Sequence, residues 1–127
     1  MKENIQTEKK IKEKNFLDYL VFEGEYLNGE RNGKGKEYEN NKIIFEGEYL
    51  NGKRNGKGKE YYNDKLIFEG EYLNGERLNG KTKLYFWVGK VKYEIEYLNG
   101  WSNGKIKEYN KNGNLLFEGE YLNGERN

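Results

Sequence analysis

The sequence predicts an all-β fold: an open, elongated and twisted antiparallel meander of stacked β-hairpins. The phrase FEGEYLNG begins at Phe22, Phe45, Phe68 and Phe117, with a divergent copy at Tyr93, at intervals of 23, 23, 25 and 24 residues. Apolar and polar residues alternate within each copy, and each copy ends in the Asn-Gly pair that favours tight hairpin turns. A fixed period of this length indicates a tandem array, in which each unit buries apolar surface only against its neighbours.

The second unit illustrates how each element is predicted. Residues 43–50 alternate with period two and are rich in β-branched and aromatic side chains, which is typical of a strand. Residues 51–56 contain two Asn-Gly pairs and predict the turn. Residues 58–62 predict the return strand, and Asn63-Asp64 turns the chain into the next unit. Each unit is therefore predicted to be a hairpin, and consecutive hairpins are joined by another tight turn.

Aromatic residues recur at three positions of the unit and predict a ladder along one face of the sheet. The first-strand positions are Phe22, Phe45, Phe68, Tyr93 and Phe117, followed four residues later by Tyr26, Tyr49, Tyr72, Tyr97 and Tyr121; the return-strand positions are Tyr38, Tyr61, Tyr85 and Tyr109. Glycines stand between the two first-strand aromatics and leave slots on the same face. We expect the return-strand tyrosines to cover these glycines, although the sequence leaves the register of the hairpins open.

The two ends of the chain differ from the repeats. Residues 1–19 are charged and predict a tail or a short capping helix that covers the first edge strand. Residues 20–127 comprise five tandem units of about 23 residues, and the last unit lacks the counterpart of a return strand. Either the array continues in another segment or an edge is open for pairing. Head-to-tail self-association is therefore an expectation.

Composition excludes several classes of function. The 23 basic and 22 acidic side chains give a net charge of +1, so we expect no nucleic-acid partner. Cysteine and histidine are absent, which excludes thiolate chemistry, the usual zinc sites and a histidine base. We therefore expect no catalytic residue, metal or cofactor, and no enzyme. Because the N-terminal residues lack the apolar core of a signal peptide, we expect a cytoplasmic protein, with peripheral membrane association as the alternative.

The third and fourth units depart from the pattern. Leu78 is interpreted as an extra loop residue, and Thr82, Ile95 and Ile106 stand at glycine positions. The connector at residues 86–89, Phe-Trp-Val-Gly, is more apolar than its counterparts. Two explanations stay open: the array repacks locally, or a partner docks there. Tryptophan is enriched at interface centres. The candidate interaction surface comprises Trp87 and Trp101 together with Tyr26, Tyr49, Tyr72, Tyr97 and Tyr121.

The motif YxxNKxIFEGEYLNGxRNGKGKEY extends from Tyr38 to Tyr61 and returns with changes from Tyr61 to Tyr85. It resembles the MORN repeat family, in particular its bacterial-type variant, over residues 20–127. The resemblance implies stacked hairpins in an open sheet that serve protein contact, scaffolding or membrane tethering. The expected function is a non-catalytic repeat module for protein–protein interaction or scaffolding. The alternatives are a membrane- or phosphoinositide-associated tethering module and an antitoxin-like repeat protein, and the protein partner is not identified by the sequence.

Overall fold

The computed structural model describes the backbone of residues 7–14, 20–122 and 125–126 and the side chains of residues 21–101 and 104–120. Within these residues, one sheet of eleven antiparallel strands follows the chain order, and there is no helix. The strands are β1 (Thr7–Lys14), β2 (Leu20–Leu27), β3 (Glu30–Glu39), β4 (Lys42–Leu50), β5 (Lys53–Tyr62), β6 (Lys65–Leu73), β7 (Glu76–Tyr85), β8 (Val91–Leu98), β9 (Trp101–Tyr109), β10 (Leu115–Leu122) and β11 (Glu125–Arg126). The predicted open meander of hairpins is confirmed. No helix of the described residues is long and apolar enough to cross a membrane.

Left-handed backbone conformations make the turns tight at both long edges of the sheet. Asn51 and Gly52 have φ values of 51° and 83°, and Asn63 and Asp64 have values of 48° and 67°. Two consecutive positive φ values are typical of the type I′ turn, whose twist matches that of paired strands. We call the edge formed by turns inside units the hairpin edge, with turns at residues 28–29, 51–52, 74–75 and 99–100. We call the opposite edge the connector edge, with turns at residues 40–41, 63–64, 86–90 and 110–114.

The N-terminal segment corrects one expectation. Residues 7–14, for which a tail or a capping helix was predicted, form β1 and pair with β2 through contacts such as Ile11 opposite Gly24. A strand satisfies the edge backbone groups of β2, which a helix lying beside them does not. Residues 1–6 and 15–19 lie outside the described part. At the other end, β11 pairs with the last residues of β10. Head-to-tail self-association stays a prediction.

Glycines from six neighbouring strands lie opposite one another and form what we call the glycine row. The row comprises Gly24, Gly35, Gly47, Gly58, Gly70 and Gly80. A Cβ atom on Gly47 would lie 2.5 Å from the carbonyl oxygen of Lys57 and 2.7 Å from the Cα atom of Gly58. The backbones of adjacent strands therefore approach too closely here for any side chain.

The glycine row shifts by two residues on β7. Gly80 faces Gly70 on β6, whereas Thr82 faces Ile95 on β8. Three residues separate Arg54 from Gly58 in the second unit, but only two separate Arg77 from Gly80. Relative to β8, Leu78 is the extra residue that the sequence indicates, because Gly80 faces Tyr97 as Gly56 faces Tyr72; in the pairing with β6 it is not an extra residue. Thr82 does occupy the predicted glycine position in the pairing with β8.

Buried rings from the first strands form a continuous core, which we call the aromatic spine. It comprises Phe22, Tyr26, Phe45, Tyr49, Phe68 and Tyr72, with Tyr97 packed against it. The ring of Tyr49 meets that of Phe45 in its own unit at 5.6 Å and that of Phe22 in the preceding unit at 5.1 Å, both edge to face. Edge-to-face contacts favour aromatic pairing beyond the area they bury. Tyr49 therefore joins two units, and Tyr72 does the same through Phe45 and Phe68.

The rings that cover the glycines come from the first strands, so the prediction that return-strand tyrosines cover them is wrong. A Cβ atom on Gly35 would lie 2.5 Å from Cζ of Phe22 and 3.0 Å from Cε1 of Tyr49. Phe22 faces Glu37 across the strands, and the next residue, Tyr38, faces Val21. Because side chains alternate along a strand, Tyr38 points away from the aromatic spine and Glu37 points toward it.

Candidate interaction surfaces

A channel of about 960 Å³ crosses β2 to β6 on the face opposite the aromatic spine. Its floor is the glycine row from Gly24 to Gly70, and charged pairs flank that floor on each strand. We call it the charged channel. Its pairs are Glu23 and Glu25, Lys34 and Lys36, Glu46 and Glu48, Lys57 and Lys59, and Glu69 and Glu71. Glutamate and lysine pairs alternate from strand to strand, so the sign of the charge changes about every 4.8 Å.

The charges of the channel compensate one another locally. The ammonium group of Lys59 lies 3.6 Å from the carboxylate of Glu69, and both side chains are about half exposed. Exposed ion pairs of this kind contribute little to stability. Glu48 has a different role, because its carboxylate accepts a hydrogen bond of 2.6 Å from the backbone N–H of Lys57. The channel is thus a patterned surface without a strong net field.

On the spine face, a partly buried carboxylate joins the first unit to the second, and another joins the second unit to the third. Glu37 accepts hydrogen bonds from the Tyr49 hydroxyl and, at 2.9 Å, from Nε of Arg54. Glu60 accepts the equivalent bonds from Tyr72 and, at 2.6 Å, from Nε of Arg77. We call each Glu–Tyr–Arg set an inter-unit staple.

The arginine of each staple also covers the aromatic spine. The guanidinium carbon of Arg54 lies 4.1 Å from the ring centroid of Phe45, and that of Arg77 lies 4.5 Å from the ring centroid of Phe68. A cation over an aromatic face is attracted by the ring quadrupole. The stacked arginine side chains thus shield the rings from solvent on the side that the single sheet does not cover.

The staples shift the pKa values of their members in opposite directions. Burial alone raises the pKa of Glu60, but the hydrogen bonds from Arg77 and Tyr72 and the arginine charge outweigh it, so the pKa is lowered. Burial and the bond to Glu60 raise the pKa of Tyr72. The staple is therefore an ionised carboxylate between a neutral phenol and a guanidinium, an arrangement that holds strands together.

Sequence reasoning missed the staples because it considered only the net charge and assigned no contact to the individual charged residues of the repeat. The sequence does contain a signal that predicts the staples. Glu37 and Glu60 each precede a return-strand tyrosine, and an arginine follows the opening phenylalanine by nine residues at Arg31, Arg54 and Arg77. Charged residues that recur at a constant spacing from buried aromatic residues indicate that their side chains contact those rings.

The tyrosines of the predicted interaction surface lie in the core. Tyr26, Tyr49 and Tyr72 are 5%, 4% and 3% exposed. Tyr97 is partly buried against the aromatic spine, and the side chain of Tyr121 lies outside the described residues. The three buried tyrosines cannot supply a contact surface, because the neighbouring units and the staples enclose their rings.

The two tryptophans of the same prediction are exposed, but the structure does not bring them together. Trp87 is 89% exposed at the connector edge, and Trp101 is 70% exposed beside the turn at the hairpin edge. The eight residues of β8 separate these edges by about 25 Å. The two indoles therefore belong to different surfaces.

The β-branched residues at glycine positions support local repacking. Thr82, Ile95 and Ile106 lie opposite one another on β7, β8 and β9, and Ile106 is 1% exposed. These side chains thus take the positions at which, in the first units, aromatic rings cover glycines. Docking at the tryptophans stays a prediction.

A family model described as "MORN repeat" matches residues 22–42 and 45–66. No curated protein sequence matches the chain significantly. The matched segments are the first two units, in which the glycine row, the aromatic spine and the Asn-Gly turns are all complete. No group of three or more potential metal ligands occurs among the described residues.

Proposed function

We propose that this chain, whose first two units match a MORN repeat model, is a non-catalytic module for protein–protein interaction or scaffolding. The observation that supports this proposal is the charged channel, which extends across five strands of the sheet. Arrays of stacked units commonly bind partners along one extended face. The partner lies along the channel, and the protein acts in the cytoplasm.

The chemistry of the channel favours recognition over catalysis. The same pairs of charges recur on successive units, so no strand offers a unique constellation of acid, base and nucleophile. A row of alternating charges selects a partner whose own charges alternate with a matching period, because like charges that face each other are repelled. Specificity then comes from the pattern of charge and not from its sum.

A charge swap tests whether the channel binds the partner. The double variant Lys59→Glu with Glu69→Lys reverses two positions of the channel but keeps the ion pair and the net charge. We expect partner affinity to fall at least about tenfold, because two attractive contacts become repulsive. The partner would be captured from the native host, purified and titrated by calorimetry.

The matched control is the same swap at Lys107 and Glu118, which form an equivalent exposed pair at 3.7 Å on β9 and β10. Both swaps should leave the free energy of unfolding within about 1 kcal/mol of the wild-type value. Equal partner affinity for both variants and the wild type would contradict a role of the charged channel in binding.

A further inference from the structure

The same ten residues, FEGEYLNGER, occupy positions 22–31 and 68–77, and each copy places an Asn-Gly pair in a turn of the hairpin edge. The two turns have similar backbone conformations: Asn28 and Gly29 have φ values of 51° and 80°, and Asn74 and Gly75 have values of 50° and 90°. All four residues are exposed. Local sequence, conformation and exposure are therefore matched between the two turns.

The two turns differ in their contacts with the preceding strand. The N–H of Gly75 donates to the carbonyl of Arg54 at 2.8 Å, and the N–H of Asn74 donates to Oδ1 of Asn55 at 3.2 Å. The return strand of the preceding unit thus holds this turn. At the first turn, β1 lies beside β2, and the N–H of Gly29 donates to no acceptor among the residues that the structure describes.

The other Asn-Gly pairs in the described part of the chain are restrained in one of two ways. In the turns at residues 51–52, 99–100 and 112–113, the glycine N–H donates to a backbone carbonyl at 2.9, 2.8 and 3.0 Å. The remaining glycines lie inside strands and pair with residues of a neighbouring strand; they are Gly33, Gly56, Gly80 and Gly104. Among the described pairs, the first turn is therefore the least restrained.

An Asn-Gly pair is a site of intramolecular chemistry. The glycine nitrogen loses its proton and attacks Cγ of the asparagine; a new C–N bond closes a five-membered succinimide ring, and the side-chain nitrogen leaves as ammonia. One water molecule then opens the ring at either carbonyl and gives aspartate or isoaspartate. Glycine favours the attack because it has no side chain to hinder its nitrogen. A nitrogen whose N–H is held by a carbonyl reacts more slowly, since that hydrogen bond must break first.

We propose that Asn28 is a site of spontaneous deamidation in the folded protein, whereas the contacts of the preceding unit protect Asn74 in the same ten residues. The product carries a new carboxylate next to Glu30 at the hairpin edge. Its isoaspartyl form also adds one atom to the main chain of the turn between β2 and β3. The turn lies outside the charged channel, so this inference is independent of the function proposed above.

Peptide mapping of the folded, full-length chain measures the two copies separately. Trypsin cleaves after Arg31 and Arg77 and after a lysine upstream of each copy, so the copies lie in different peptides with one Asn-Gly pair each. Mass spectrometry detects the exchange of amide for acid, and chromatography separates aspartate from isoaspartate. During incubation in mildly alkaline buffer, Asn28 should deamidate at least about fivefold faster than Asn74, which must first release a backbone hydrogen bond.

Incubation in concentrated urea supplies the control. Without the fold, the two copies are the same ten residues free of tertiary contacts, and they should react at equal rates. Equal rates in the folded protein as well, or a faster reaction at Asn74, would overturn the proposal, because the contact with Arg54 would then give no protection.

Two matched variants test the protection itself. Asn55→Ala removes the side-chain acceptor of the Asn74 N–H and should raise the rate at Asn74 about twofold, toward the rate at Asn28. Asn79→Ala removes the equivalent acceptor of the Asn99 N–H in the next unit and should leave the rate at Asn74 unchanged. An unchanged rate at Asn74 in the first variant, or an equal increase in both, would contradict protection by the preceding unit.

Discussion

At the scale of single residues, Gly47 shows how little space the sheet leaves between its strands. A methyl group there would lie 2.5 Å from a backbone oxygen and 2.8 Å from Cζ of Phe45. We expect Gly47→Ala to destabilise the protein by about 2–3 kcal/mol, because the backbone and a core ring must both move. Urea unfolding monitored by circular dichroism measures the change.

Gly52→Asn is the control for this substitution. Gly52 has a φ of +83°, but no atom lies within 4 Å of its Cβ position, and asparagine tolerates this conformation. Its effect should stay within about 0.5 kcal/mol. Similar losses for the two variants would contradict the close approach of the strands at the glycine row.

Glu60 carries a second prediction at the residue scale. Because its pKa is lowered in the folded state, its contribution to stability is present above the ordinary carboxyl pKa of 4.5 and is lost as the pH falls through the lowered value. Glu60→Gln should cost about 2 kcal/mol at neutral pH, since the bonds to Tyr72 and Arg77 lose their charge assistance. It should also reduce the loss of stability on acidification.

Urea unfolding from neutral pH to below pH 4 compares this variant with Glu46→Gln. Glu46 forms only an exposed pair with Lys36 at 3.5 Å, so its removal should change stability by less than about 1 kcal/mol. If the free energy of unfolding of Glu60→Gln depends on pH as strongly as that of the wild type, the role assigned to the staple is contradicted.

At the scale of elements, the staples end at β7. Leu84 faces Tyr93 on β8, where Glu37 and Glu60 face the opening phenylalanines of the following units. Ser102 faces Tyr97, where an arginine stands in earlier units. The third and fourth units are therefore joined by backbone pairing and by packing, but without the charged network.

A double-mutant cycle at Leu84 and Ser102 tests this difference. Leu84→Glu alone should change stability by less than about 1 kcal/mol, because Leu84 is 46% exposed and the new carboxylate stays in contact with water. Combined with Ser102→Arg, it should recover about 1–2 kcal/mol relative to the sum of the single effects. The coupling energy comes from thermal or urea unfolding of the four proteins, and additive effects would show that the register does not recreate a staple.

The sequence predicts most elements because each repeats the same alternation and the same turn residues. β1 escapes prediction, since Thr7–Lys14 has a single apolar residue, Ile11, and becomes a strand only beside the edge of β2. The two-residue shift of the glycine row on β7 could not be predicted from the sequence either. Gly80 and Thr82 both satisfy the local pattern, and only the contacts with β6 and β8 assign them to different neighbours.

At the scale of the whole molecule, the interaction surfaces were only partly predictable. Trp87 and Trp101 are visible in the sequence because tryptophan is rare in this chain. The charged channel is not, because it depends on a register that sets glutamate pairs beside lysine pairs. The tyrosines of the aromatic spine were wrongly placed on the interaction surface, because the sequence alone does not show that arginines and neighbouring rings enclose them.

The shape of the particle is the last prediction. β1 to β10 at a spacing of about 4.8 Å span roughly 45 Å, whereas the strands are only about 30 Å long. We expect a radius of gyration near 17 Å by small-angle X-ray scattering, above the value of about 14 Å for a compact domain of this length. A value near 14 Å at low concentration would contradict an open sheet in solution.

The glycine row has a consequence for how such a chain changes length over generations. Adding or deleting one residue inside a strand would carry a side chain into the narrow gap between backbones, whereas duplicating a complete hairpin reproduces both partners of every close contact. We therefore expect the array to lengthen by whole hairpins and not by single residues. The one smaller change in the array, the shorter spacing before Gly80, coincides with bulkier residues at the glycine positions of β7, β8 and β9.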